Sequence, residues 1–251
     1  MAQVKQAAVG FRVHSGWAAM VAVALEKSGP VVLCRERPHL VKIFNYSYRQ
    51  PYHTAEKMPL GEARAFISQV RAEARGLARS AMQRMQARVR EAGYDLSHCG
   101  ALAASGRALP KLEEILAAHP LIHTADGELF REALLHASER SGLKTQRIKE
   151  KELLETAKKT LHEEPAALLR RTTEMGKAFG SPWSQDEKFA TLAAWLALTS
   201  HNRTGLQGSQ KSEERKKPNT ESTEAEAQRS LRRAVLSSGR ARSRGDVKRL
   251  V

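Results

Sequence analysis

Residues 8–25, AVGFRVHSGWAAMVAVAL, decide the fold. Val9, Phe11 and Val13 alternate with Gly10, Arg12 and His14, the two-residue period of a strand with one buried face. Ser15-Gly16 offers a tight turn. Trp17 to Leu25 is then uncharged throughout, as a strand buried on both faces requires, and Glu26 to Pro30 closes it with turn chemistry. Val31 to Cys34 begins a third strand. Its continuation past Pro38 through Leu40, Val41 and Ile43 is expected at a sheet edge, where proline is tolerated. The result is a three-stranded antiparallel meander, and everything after it reads as helix alternating with strand.

Residues 44–59, FNYSYRQPYHTAEKMP, read as an irregular loop, because two prolines interrupt mixed polarity. Tyr46, Tyr48, Arg49, Gln50, Tyr52 and His53 give that loop ring faces and donors suited to bases and phosphates, or else rings that cover the edge of the core. Leu60 to Ala92 is the longest helix, with one apolar stripe through Ile67, Val70, Ala74, Ala78, Met82, Met85 and Val89 and a stop at Gly93. Its other side carries seven cations, all arginine. Arg71, Arg75 and Arg79 step by four and line up, as a phosphate-tracking ridge or as a solvated face.

Cys99 to Ala104 reads as the fourth strand, parallel to its neighbour after a helical crossover. Lys111 to Ala118 is a short helix, and a further helix runs from about Asp126 to a stop at Gly142. Lys144 to Lys149 is a polar fifth strand. Glu163-Glu164-Pro165 opens another helix that ends near Gly180. Ser184 caps the last helix, with Glu187 completing a capping box. Ala190, Ala194 and Ala197 give that helix a small-residue side able to approach a sheet closely.

The chain of 251 residues accommodates a folded domain over residues 1–199 and a basic, mostly disordered tail over 200–251. The tail holds 13 Lys+Arg against 6 Asp+Glu, so it carries only part of the net charge of +15. A chain this basic points to acidic partners, with nucleic acid, RNA or DNA, the commonest and an acidic protein the other class. Two cysteines, Cys34 and Cys99, are too few for a disulfide scaffold or a cysteine zinc site. No stretch is apolar for long enough to span a membrane, and the N-terminal stretch lacks a signal pattern, so a cytoplasmic protein is expected.

Candidate chemistry is sparse. His119 and His123 stand four apart, but not as HExxH, and Pro120 between them opposes one continuous helix. Asp126 and Glu128 flank Gly127 and read as first-turn acids or, for Glu128, as a position where the glycine leaves room for the close approach of a ligand or a strand. The capping box accounts for Glu187 and leaves Asp186 free to point elsewhere, with Lys188 close by in sequence. No phosphate-binding glycine loop, GxSxG or CxxC pair is present.

The order of these elements over residues 7–199 resembles the ribonuclease H-like superfamily: an α/β fold with a five-stranded mixed sheet, a three-strand meander followed by strand-helix units, flanked by helices. SPWSQDEKFATLAAWLAL resembles the final helix of RuvC-type members, which carries an acid near its start, the place of Asp186 here. That resemblance implies a nuclease or phosphoryl-transfer hydrolase using Mg or Mn held by clustered carboxylates, with Asp186 and Glu128 as metal ligands and His14 beside them as catalytic residues. The first strand of such nucleases carries an Asp, whereas residues 8–16 hold no acid, so the two-metal site is expected to be incomplete or absent. GFRVHSGWAAMVAVAL, NYSYRQPYHTAEK, the Arg-rich helix and CGALAASGRALPKLEEIL also resemble, in order, the middle domain of archaeal and eukaryotic peptide-chain release factors, without their Gly-Gly-Gln. The expected function is nucleic-acid association, with Arg71, Arg75, Arg79, Tyr52, His53 and Lys188 as contacts. The alternatives are a metal-dependent nuclease, an RNA-binding release-factor-like domain and a protein-binding scaffold.

Overall fold

The computed structural model describes the backbone of residues 4–104 and 108–214, and side chains through residue 200. The hairpin forms as expected: β1 (Lys5–His14) and β2 (Trp17–Glu26) pair antiparallel, with Gly10 opposite Val21 and His14 opposite Trp17. Gly16 turns the corner at φ 83°, the left-handed region that glycine adopts without steric cost. β3 (Gly29–Glu36) pairs antiparallel with β2 and is an edge strand.

β3 stops before Pro38. Its expected extension is replaced by a single bridge between Trp17 and His39. Ala18 N–H donates to the Pro38 carbonyl at 3.2 Å, and Leu40 N–H to that of Gly16 at 2.8 Å. Proline has no N–H to continue a ladder, so the chain folds back over the hairpin's end and buries Leu40 and Val41 there. Residues 44–59 also differ from the irregular loop expected of them. They form α1 (Tyr46–Arg49), capped by the Asn45 side chain, and α2 (Pro51–Ala55), with Pro51 in its first turn. A proline that breaks a helix interior is well placed at its start.

α3 (Leu60–Glu91) buries the predicted stripe from Ala63 to Val89. β4 (Tyr94–Ala103) lies parallel to β1, five residues longer at its start than the apolar run indicates. After α4 (Leu112–Leu116) comes α5 (His119–Arg140), which begins well before Asp126 because Pro120 again occupies a first turn. β5 (Lys144–Lys149) pairs parallel with β4. A 3-10 turn (Glu150–Glu152) and α6 (Leu153–Leu161), which hydrophobic periodicity alone does not assign, precede α7 (Pro165–Gly176) and α8 (Gln185–Glu214).

The sheet order is β3-β2-β1-β4-β5, with β1 at the centre. This is the expected mixed five-stranded sheet, an antiparallel three-strand meander extended by two parallel strands. Alternate residues of the central strands face two separate cores. Ala7, Val9 and Phe11 join Met20, Cys99 and the buried faces of α3 and α5 on one side. Ala8 joins Val21, Val23, Leu102 and α6 to α8 on the other. Gly10 and Gly100 let α8 lie directly on the sheet. A Cβ at Gly10 would sit 1.8 Å from the Ala190 carbonyl oxygen, and one at Gly100 would sit 2.1 Å from that of Ala193. The alanine side of the helix thus meets glycines in β1 and β4.

Residues up to Arg203 form one compact unit. The tail expected from residue 200 begins inside α8, and its remainder from 215 lies outside the described residues. Cys34 and Cys99 are buried free thiols, and desolvation pushes them up to about 11 and about 12. Among the described residues, no helix is long and apolar enough to cross a membrane.

Candidate functional site

The even-numbered residues of β1 face α8, and beyond Gly10 they become Arg12 and His14. Arg12 is a charge at the end of a buried strand, and such a group needs partners. It finds two carboxylates: Nη1 donates to Asp186 Oδ1 at 2.8 Å, and Nη2 to Glu150 Oε1 at 2.5 Å. Its guanidinium also lies over the Phe189 ring, 5.2 Å from the centroid. His14 Nε2 is 2.8 Å from the same Asp186 oxygen, and its ring stacks on Trp17 at 4.4 Å. The structure thus brings His14 and Asp186 together.

The capping box at α8 forms. Ser184 N–H donates to Glu187 Oε2 at 2.8 Å, and Asp186 N–H donates to Ser184 Oγ at 3.1 Å. Capping does not exhaust Glu187. Arg37 grips its carboxylate with Nε at 2.5 Å and Nη2 at 2.9 Å, a paired contact in the guanidinium plane. Burial opposes ionisation of both acids. For Asp186 it is outweighed by His14, by the Arg12 charge and by the Ser184 hydroxyl; for Glu187, by Arg37 and the Ser184 donors. Both carboxyls are held below the usual carboxylate range. Burial likewise works against the Arg12 charge, and Glu150 and Asp186 overcome it.

This geometry does not fit a two-metal centre. On β1 a cation, Arg12, projects between the two acids Asp186 and Glu150. Asp186 and Glu150, which could otherwise face a metal, already close on Arg12. Two divalent ions need several free carboxylates to offset their charge.

Glu128 does not join the cluster. It lies on α5, which packs on the sheet face opposite α8, and it pairs with Arg131 one turn along its own helix. Arg131 in turn donates to the Leu102 carbonyl at 3.1 Å. Among the described residues, no hydrogen bond or ion pair links Glu128 to Asp186 or His14. Glu128 is held by Arg131 rather than by the expected partners Asp186 and His14, while Arg131 itself lines one cavity with Glu150 and Phe189. Lys188 is half-buried on α8 and makes no ion pair among the described residues.

The proposed contacts on α3 divide into two kinds. Arg71 is half-buried and donates to the Tyr52 hydroxyl at 3.0 Å. Arg75 and Arg79 are exposed and carry no ion pair among the described residues. Tyr52, expected to offer a ring face, is instead 3 % exposed, because the proline-led α2 turns its ring into the core beneath α3. Tyr46 and Phe44 are the exposed rings of that stretch, with Arg49 lying over Phe44 at 4.5 Å.

His53 is not solvated either. Its Nδ1 lies 2.5 Å from Asp126 Oδ2, and its ring stands edge-on to His119 and His123. Pro120 does not separate those two histidines, because it sits in the first turn of α5 and leaves them one turn apart on one helix.

Arg37, Glu150 and the second role of Glu187 are not read from local pattern. Arg12 was the available signal, since an arginine inside a strand flanked by buried residues calls for an acid from elsewhere in the chain.

No family model and no curated protein matches this chain. Among solved structures it is similar to RuvC of Thermus thermophilus, with a TM-score of 0.43 and 11 % identity over 79 % of this chain and 96 % of that one. It is similar to the same organism's RuvC in complex with a Holliday junction substrate, with a TM-score of 0.44, 11 % identity and the same coverage.

Proposed function

We propose that the protein is a nucleic-acid-associated protein in which a ribonuclease H-like fold serves binding, without a two-metal catalytic centre. The observation that carries this reading is the exposed pair Arg75 and Arg79, one turn apart on α3 and free of acidic partners among the described residues. Guanidinium groups spaced by one helical turn suit successive phosphates of a backbone. The surplus of 42 Lys+Arg over 27 Asp+Glu supplies the long-range attraction. The cluster of Arg12, Asp186, Glu150 and His14 then acts as a clasp between the end of β1 and the start of α8.

The test is binding of labelled single-stranded and duplex DNA and RNA, read by fluorescence anisotropy. Affinity is expected to fall steeply between about 50 and about 200 mM salt, and the double variant Arg75→Glu, Arg79→Glu is expected to lose most of it. Salt-independent affinity, or an unaffected double variant, overturns the reading. Incubation with Mg2+ or Mn2+ is expected to leave the nucleic acid intact. Cleavage abolished by Asp186→Asn would restore the nuclease alternative.

A further inference from the structure

The geometry points to a zinc-class metal site formed by His53, His119 and His123, with Asp126 as its supporting carboxylate. His119 and His123 come from successive turns at the start of α5, and His53 comes from α2. One ligand nitrogen from each of the three lies within 4.8 Å of the other two. Ring centroids are 4.4 Å apart for His53 and His123, 4.5 Å for His119 and His123, and 5.2 Å for His53 and His119. All three pairs are edge-on, at 66°, 83° and 87°. Stacked rings would bury their nitrogens' lone-pair directions apart, whereas edge-on rings can aim them at one point.

The tautomer of His53 is set by its neighbour. Asp126 is 2 % exposed. Its Oδ1 accepts the Tyr52 N–H at 2.7 Å, which fixes the carboxylate, and its Oδ2 takes the Nδ1–H of His53 at 2.5 Å. That leaves Nε2 of His53 with its lone pair outward. A buried carboxylate orienting an imidazole through the nitrogen remote from the ligand is the arrangement that supports metal-bound histidine. His119 Nε2 and His123 Nε2 stand 3.0 Å apart. Two nitrogens sharing a tetrahedral ion at 2.0–2.1 Å are separated by about 3.3 Å, so a small opening of that pair admits the ion.

Three imidazoles and no carboxylate in direct contact select a borderline cation. Zn2+ fits first, with Co2+ and Ni2+ as substitutes, while Mg2+ and Ca2+ prefer oxygen. His119 and His123 are exposed, so the ion can enter from solvent and keep a water as its fourth ligand. The site joins α2 to α5 and so staples the aromatic 44–59 segment to the core. It lies on the α5 face of the sheet, apart from Asp186, and stands whether or not nucleic acid binds.

The experiment uses the full chain without a histidine tag, stripped with a chelator and titrated with Zn2+ against a chromophoric competitor. One equivalent is expected to bind with a micromolar or tighter constant, and Co2+ is expected to give the visible absorption of a tetrahedral complex. His123→Ala, at an exposed position, is expected to weaken Zn2+ binding by roughly 100-fold, and Asp126→Asn by roughly 10–100-fold. His162→Ala, elsewhere on the surface, is expected to leave it unchanged. Saturating Zn2+ is expected to raise the melting temperature of the wild type and not of His123→Ala. Absence of stoichiometric uptake, or equal affinity in the wild type and His123→Ala, overturns the site.

Discussion

Arg12 and Asp186, 174 residues apart in the chain, meet at 2.8 Å where the central strand ends and the last helix begins. Their side chains are 19 % and 17 % exposed, so water screens the pair only partly. Arg12→Ala is expected to destabilise the fold by roughly 2–4 kcal/mol, because it strands Asp186 and Glu150 without their shared cation. Urea unfolding of the wild type and the variant measures this. Arg12→Asp inverts the charge and gathers three acids. In that variant alone, Mn2+ is expected to raise the melting temperature, since a divalent ion can then take the place of the lost guanidinium between the carboxylates.

Stability should also depend on pH in a stated direction. Asp186 and Glu187 are held below their ordinary values in the fold, against unfolded values near 3.9 and 4.3. A carboxyl depressed by folding contributes stability that is fully present above its unfolded value and is lost as pH falls through the folded one. The contribution is therefore intact at neutral pH and disappears below about pH 4. Thermal melts from neutral to acid pH are expected to show a steep fall there. Asp186→Asn is expected to flatten it while lowering stability at neutral pH.

The hairpin, the long helix, the polar fifth strand and the alanine-faced last helix were legible because each follows from local rules: alternation, a 3.6-residue stripe, a cap. Proline was where local reading failed. Pro51 and Pro120 act as helix starters, and which role a proline takes depends on whether the residues after it have a surface to pack against. Tyr52, His53 and the start of α5 were misplaced for that reason. Site residues split along the same line. His14 and Asp186 could be paired from fold order, whereas Glu150 follows β5 with no pattern of its own, and Glu128 is taken up by Arg131 one turn along its own helix.

The close contact between α8 and the sheet predicts opposite outcomes for two kinds of glycine. Gly10→Ala places a methyl against the Ala190 backbone, which cannot move without shifting the helix. Destabilisation of about 3 kcal/mol is expected, the upper end of the usual cost of overpacking a dense core, because here backbone rather than a side chain must yield. Gly76→Ala, in the middle of α3 with nothing within 4 Å of the added carbon, is expected to stabilise by about 0.5–1 kcal/mol through helix propensity. Chemical denaturation of both variants compares the two directly.

Arg71 and Arg75 separate structure from binding within one row of arginines. Arg71 is tied to the buried Tyr52 hydroxyl, so Arg71→Ala removes a hydrogen bond from the core as well as a surface charge. It is expected to lower stability by about 1–2 kcal/mol, as loss of a charged hydrogen bond does. Arg75→Ala breaks no contact among the described residues and is expected to leave stability within about 0.5 kcal/mol of the wild type. For nucleic-acid affinity the order should reverse. Arg75→Ala and Arg79→Ala are each expected to reduce the slope of log affinity against log salt by about one unit, with equal effect across sequences, because a phosphate contact carries no base information. Anisotropy titrations at several salt concentrations, beside unfolding curves of the same three variants, give both quantities. An unchanged salt slope in Arg75→Ala and Arg79→Ala would place the nucleic acid on some other face of the protein.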